Sequence, residues 1–161
     1  MTQDQIFNIL KDVVDPEIPV ITIHELGILK KIKVTEDKKV LVYITPTYNG
    51  CPAMDMISVH IKSVLQDHGY QDVEVVTLIE PIWTTDWITE RGKQKLMEYG
   101  ISPPAQKSTD SSFLEGATPT VVCPQCKSIH TTMISRFGST ACKSLYKCNE
   151  CLEPFDYFKC H

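Results

Sequence analysis

The residues best equipped for chemistry in this 161-residue chain are its seven cysteines, and they are unevenly spread. Cys51 stands alone in the first hundred residues, whereas Cys123, Cys126, Cys142, Cys148, Cys151 and Cys160 crowd the C-terminal end. Cys123-Pro-Gln-Cys126 and Cys148-Asn-Glu-Cys151 are paired CxxC turns with 21 residues between them, at the edge of the ~15–20-residue spacing of zinc ribbons. Two intervening residues let the chain turn and aim two thiolates at one ion, and a second such turn completes a tetrahedral Cys₄ set. Zinc suits four thiolates and brings no redox chemistry to control, while iron or an iron–sulfur cluster is the alternative that spacing cannot separate. A closed Cys₄ site has no open coordination position, so it reads as structural rather than catalytic.

Cys51 offers different chemistry. In Gly50-Cys51-Pro52 the proline fits the first helical position, which places Cys51 at the N-cap, facing unpaired N–H groups and the positive end of the helix dipole. That setting favours a thiolate. A lone cysteine cannot hold a metal cluster by itself, so Cys51 is either a helix cap or a reactive thiol that needs partners. Asp15, Glu17 and His24 are candidate neighbours, although no spacing rule brings them to it. His60 and His68 read as surface residues. Cys142 is either a spare ligand or a small core residue, the commoner fate of a free cysteine. Cys160-His161, at the chain end, is given no role.

These residues need elements to position them. Ile6, Ile9, Leu10 and Val13 predict a helix from Asp4 to Val14, stopped at Asp15-Pro16 because the residue before proline avoids the α region. Ile28–Thr35 and Val40–Thr45, separated by the polar turn 36–39, predict an antiparallel hairpin. Met54, Ile57, Ile61, Val64 and Leu65 predict an amphipathic helix ending near His68-Gly69. Val73–Ile79 predicts a third strand closed by Pro81, and Trp87–Tyr99 a last helix ending at Gly100. The order implies an α+β domain, a small mixed sheet with helices on one side, over residues 1–101. Residues 102–118 read as a linker rich in Ser, Pro, Thr and Gly. Residues 119–161 read as a β-type Cys₄ ribbon, with strand-like runs at Thr131–Phe137 and Ser144–Tyr146, too short for a secure core without a metal staple.

Composition narrows the function classes. Hydrophobic residues make up 42% and charged residues 22%, an ordinary globular balance. No apolar run approaches the ~18 residues of a membrane helix, and the N-terminus lacks the basic and small-residue features of a secretory signal. The expectation is a cytoplasmic protein with no membrane partner, in a reducing compartment where metal binding outranks disulfides. The net charge of −4, with few basic residues around the knuckles, argues against a nucleic-acid partner. No GxGxxG fingerprint and no Glu-x-x-His pair are present, which disfavours flavin, nicotinamide or di-iron chemistry in this chain.

Asp15-Pro16-Glu17-Ile18-Pro19, Glu25-Leu26-Gly27-Ile28, Thr45-Pro46-Thr47, Cys51-Pro52 and Pro81-Ile82-Trp83 together resemble the MIP18-like iron–sulfur assembly domain. Phe137-Gly138-Ser139-Thr140-Ala141-Cys142-Lys143, the Cys148/Cys151 pair and Glu153-Pro154-Phe155 resemble the PaaD branch of phenylacetate degradation. The resemblance covers nearly the whole chain. It implies an α+β assembly domain whose motif cysteine falls on Cys51 and whose Asp-Pro-Glu loop falls on Asp15 to Glu17. It places the branch's metal ligands on Cys123, Cys126, Cys148 and Cys151. It further implies a non-enzymatic accessory factor that matures the iron–sulfur or iron centre of a multicomponent phenylacetyl-CoA epoxidase. The implied partners are the epoxidase subunits, above all an iron–sulfur reductase subunit, and a homodimer is compatible with it. The alternative is a structural interaction subunit with no metal-transfer role.

Overall fold

The computed structural model describes residues 2–104 and 119–159. The chain divides into two compact units, Met1–Gly92 and Lys93–His161. No helix among the described residues is long and apolar enough to cross a membrane.

In the first unit, α1 (Gln3–Leu10) opens on a capping box: Thr2 Oγ1 accepts from the Gln5 N–H, and Gln5 Oε1 accepts from the Thr2 N–H. The helix stops at Leu10, four residues before the expected Val14. The backbone of the next residues is taken up elsewhere. Val13 accepts from Ile23 N–H, Asp15 N–H donates to Ile21, and Val14 bridges Thr22. β1 (Leu29–Val34) and β2 (Val40–Ile44) form the expected antiparallel hairpin. Its turn closes through Thr35, whose Oγ1 accepts from Lys39 N–H at 3.1 Å. β3 (Val73–Thr77) lies parallel to β2, giving a mixed sheet in the order β1-β2-β3.

The crossover between the parallel strands is α2 (Ala53–Asp67). It ends in a Schellman motif, with Gly69 at φ +89° and Tyr70 N–H donating to Leu65 carbonyl. Its apolar stripe of Met54, Ile57, Ile61 and Leu65 is buried, as the spacing requires. α1 and α2 pack on each other and on β1 and β3. Val40, Val42 and Ile44 are buried, whereas Leu41 and Tyr43 are half-buried.

Two of the sequence motifs meet in this unit. Trp83 is fully buried, and its Nε1–H donates to the Leu26 carbonyl at 2.8 Å. Thr22 and Glu25 cap each other's backbone N–H groups, and Glu25 Oε1 also faces Arg91 at 3.5 Å. The helix expected over Trp87–Tyr99 is split: a 3₁₀ turn spans Thr85–Trp87, and α3 spans Glu90–Tyr99. The break has a cause. Ile88 is extended, Thr89 N–H donates to the Glu25 carbonyl, and Thr89 Oγ1 accepts from Gly92 N–H.

The second sheet runs β4-β7-β6-β5. β5 is Thr131–Ser135, β6 is Lys143–Cys148 and β7 is Pro154–Phe158. β4, Ile101–Ser102, pairs parallel with β7 and is buried. Ser102 is therefore a strand residue rather than the first residue of a linker. The helical periodicity of α3 runs through the division at Gly92, so no compositional break marks it. Residues 105–118, the greater part of the expected linker, lie outside the described residues, as do Cys160 and His161. Neither β4 nor β7 is among the elements expected from the sequence pattern.

Gly27 has φ +72°, and a Cβ there would meet Trp87 Cβ at 2.6 Å and the Trp87 carbonyl oxygen at 2.8 Å. Trp87 is also covered by Lys30, whose Nζ lies 3.0 Å from the ring centroid. Gly27→Ala therefore combines a left-handed backbone penalty of ~1–2 kcal/mol with overpacking of ~1–3 kcal/mol. The expected loss of unfolding free energy is about 2–5 kcal/mol, measured by urea denaturation followed through tryptophan fluorescence.

Candidate metal centre and the position of Cys51

Cys123, Cys126, Cys148 and Cys151 converge in the second unit with all four sulfurs within 4.8 Å of one another. Sγ of Cys123 is 3.7 Å from that of Cys151, and Sγ of Cys126 is 3.5 Å from that of Cys148. A tetrahedron with Zn–S bonds of about 2.3 Å has sulfurs about 3.8 Å apart, so the donor set fits a tetrahedral thiolate-bound ion. Each knuckle is built the same way. Cys123 N–H donates to the Ser128 carbonyl and Cys148 N–H to the Glu153 carbonyl, each five residues on. The residue after each second cysteine, Lys127 or Leu152, takes φ +65°. This left-handed step turns the chain back beneath the sulfurs.

The two knuckles come from different parts of the sheet. Cys148 ends β6, and Asn149 N–H donates to the His130 carbonyl next to β5. Cys123 and Cys148 are buried with Val121, Tyr146, Phe155 and Tyr157 in one apolar cluster. Tyr146 stacks on Phe155 and meets Tyr157 edge-on. The site therefore sits against the core of the ribbon.

The electrostatics favour a cation. The N–H groups of Cys151 and Glu150 point at the Cys148 sulfur and bring its pKa down to about 6, against the cost of desolvation. The Glu153 N–H likewise favours the Cys151 thiolate, but desolvation and the neighbouring thiols, Cys148 first, push that pKa up to about 12. Cys126 is also raised. Its sulfur accepts from the Ser128 N–H, but desolvation and the Cys148 thiol outweigh that contact. Four thiols this close cannot all ionise together without positive charge between them, and a divalent ion supplies it. Cys142 is buried with its sulfur 3.0 Å from Thr140 Oγ1 and stands outside the four-sulfur group.

Cys51 lies in the first unit and is half-buried. α2 begins one residue later than expected. Pro52 is the N-cap, already at helical φ −67° and ψ −21°, and the Cys51 carbonyl accepts from the Met54 N–H at 3.2 Å. Gly50, at φ +78°, makes the preceding turn. Asp15 is buried and holds its own loop: Oδ1 accepts from the N–H groups of Glu17 and Ile18 at 2.8 and 2.9 Å. Among the described residues, Cys51, Asp15 and Glu17 do not form a three-ligand cluster. His24 is exposed and stands edge-on to Phe7, His60 is exposed on α2, and His68 is exposed at its C-cap. One feature near Cys51 in the chain escapes sequence reasoning: Thr45 Oγ1 is buried with no hydrogen-bond partner among the described residues. No sequence signal marks such an orphan hydroxyl, because it depends on what packs around it.

Fold and site together define a two-part protein: an α+β domain with a lone thiol, followed by a four-cysteine metal-binding ribbon. Comparison with known families agrees. Residues 3–77 match the family described as iron-sulfur cluster assembly protein, and residues 107–159 match the PaaD zinc beta ribbon domain. A protein of Escherichia coli (strain K12), provisionally named as a subunit of 1,2-phenylacetyl-CoA epoxidase, is 47% identical over 97% of this chain and 92% of its own. An Fe-S protein maturation auxiliary factor of Porphyromonas gingivalis (strain ATCC BAA-308 / W83) is 32% identical over 59% of this chain and 90% of its own. The crystal structure of a domain of unknown function from Bacillus anthracis superposes with a TM-score of 0.54 at 25% identity, covering 58% of this chain and 90% of that one. The chain belongs to the PaaD family, in which an iron–sulfur cluster assembly domain precedes a zinc ribbon.

Cys148→Ser is expected to abolish metal binding and to leave residues 119–159 open to proteolysis, because in such modules binding free energy is folding free energy. Metal analysis and limited proteolysis check this. Cys148 is held below the ordinary thiol range, so the stability its thiolate confers is present above the unfolded pKa and is lost as the pH falls through about 6. Metal release to a chromogenic chelator should accelerate as the pH falls, because protons compete with the ion for the thiolates.

Proposed function

We propose that this protein is an accessory maturation factor, not itself an enzyme, for a multicomponent phenylacetyl-CoA epoxidase. It assists assembly of that complex's iron–sulfur or iron centre. Cys51 is a transient thiolate ligand for the cargo, with Asp15 shaping the neighbouring family loop and Glu17 a candidate second ligand. Zinc held by Cys123, Cys126, Cys148 and Cys151 staples the ribbon. The client is one of the epoxidase subunits, foremost the iron–sulfur reductase.

The observation that carries this reading is the pairing of an assembly-family match over residues 3–77 with a thiol, Cys51, that stays outside the Cys₄ set. The relatives' names add the client: the Escherichia coli protein with the provisional epoxidase name matches across both units, and the maturation factor matches 59% of the chain. Chemically, a half-buried thiol that belongs to no group of three or more ligands among the described residues suits temporary rather than permanent binding. The same observation favours the second reading, an interaction subunit in which Cys51 only begins a helix.

Cys51→Ser separates the two. The variant is expected to keep its fold and ribbon metal, while a co-expressed epoxidase loses iron content and activity. Full iron loading with the variant would leave the interaction-subunit reading.

A further inference from the structure

The ribbon carries an exposed surface that its metal does not use. Ile129, Met133, Ile134 and Phe137 are 60%, 41%, 55% and 67% exposed, all within one short run from just before β5 to the loop after it. Met133 and Phe137 border a groove of ≈ 470 Å³ whose floor includes Tyr146 and Tyr157 and whose lining includes Arg136 and Lys159. β5 is an edge of its sheet, with a register irregularity between Met133 and Ser135.

The loop that presents Phe137 is held fixed. Gly138 N–H donates to the Lys143 carbonyl, Ser139 Oγ to Asp156 Oδ2, and both Ser144 Oγ and Lys159 Nζ to the Arg136 carbonyl. Gly138 packs so closely that a Cβ would lie 2.5 Å from Asp156 Oδ1. A large aromatic held in solvent on a tied loop loses little freedom on binding, which is the signature of a preorganised contact.

The charges are one-sided. Lys143 is matched by Asp156 at 3.7 Å. Lys159 lies over the Phe137 ring, 4.5 Å from its centroid, and pairs with no carboxylate among the described residues. The Arg136 guanidinium makes no hydrogen bond or ion pair among them. The rim of an apolar groove is therefore cationic and uncompensated.

We propose that this face of the ribbon docks an extended acidic segment of a partner polypeptide, which inserts an apolar side chain between Met133 and Phe137 and sets a carboxylate on Arg136. A small molecule in the groove would leave Ile129 and Ile134 uncovered. A strand-like segment can follow the outer edge of β5, which pairs with no other strand among the described residues, and cover them. The assignment concerns the ribbon alone and stands even if Cys51 handles no cargo.

The test uses the full-length, metal-loaded protein and a fluorescein-labelled capped peptide in which glutamate alternates with valine around a central phenylalanine. Anisotropy should show saturable binding that weakens with added salt. Arg136→Glu and Phe137→Ser should each weaken it at least about tenfold, with metal content and circular dichroism unchanged. The same peptide with lysine for glutamate should bind the wild type poorly and Arg136→Glu better. Absence of binding, equal binding of both peptides, or indifference to Arg136→Glu overturns the proposal. Sedimentation showing self-association that Phe137→Ser abolishes overturns it too, since the face would then belong to a second copy.

Discussion

The second unit depends on gathering four thiols where they would otherwise repel one another as anions. A sheet of three short strands and a two-residue β4 buries one small apolar cluster, and two of its six members are cysteines of the four-sulfur group. Core and candidate metal site thus share residues. The aromatic residues on β6 and β7 pack with Cys123 and Cys148, and an ion held by the four sulfurs would tie those strands to the first knuckle. Two left-handed residues with side chains, Lys127 and Leu152, are tolerated because each knuckle turn requires them. The small conformational cost is offset by the backbone N–H groups those turns aim at the sulfurs.

The first unit is governed by a different constraint, the burial of Trp83 and the close approach of Trp87 to Gly27. Trp83 donates its hydrogen bond to the backbone of the Glu25-Leu26-Gly27 turn, and that turn is capped by Thr22 and Glu25. The motif pieces that most resemble the assembly family are therefore mostly scaffold. Asp15 closes its loop on Glu17 and Ile18, Glu25 caps a turn, Gly27 makes room and Trp83 fills the core. Cys51, by contrast, is half-buried just before α2, and Gly50 and Pro52 fix the backbone on either side of it.

The same contrast appears on the ribbon surface. The segment Phe137 to Lys143 spends its polar groups on Asp156 and on its own backbone, and so holds one aromatic side chain outward. The Cys142 sulfur, for which spacing leaves both a spare-ligand and a core role open, is buried against Thr140. A fifth ligand is not needed, because the paired turns already close the tetrahedron.

Local spacing determined a good deal by itself. The CxxC pairs, the i, i+3, i+7 stripe of α2, the polar turn between β1 and β2 and the glycines after α2 and α3 are short-range signals, and each element they mark is present. The end of α1 and the start of α3 were not legible, because they depend on distant partners. Ile23 draws in the backbone at Val13, and Glu25 draws in Thr89, so α1 ends early and α3 begins late. β4 and β7 escape the pattern for a related reason: two buried residues after a glycine, or a proline-led run such as Pro154–Phe158, become strands only when a neighbour supplies the ladder. The orphan Thr45 hydroxyl and the groove beside Arg136 are further properties of packing. Sequence alone thus determined which residues could bind metal or react, because that follows from side-chain chemistry and turn spacing. Tertiary structure decided which of them meet, because the convergence of Cys123, Cys126, Cys148 and Cys151 depends on strand pairing between residues far apart in the chain.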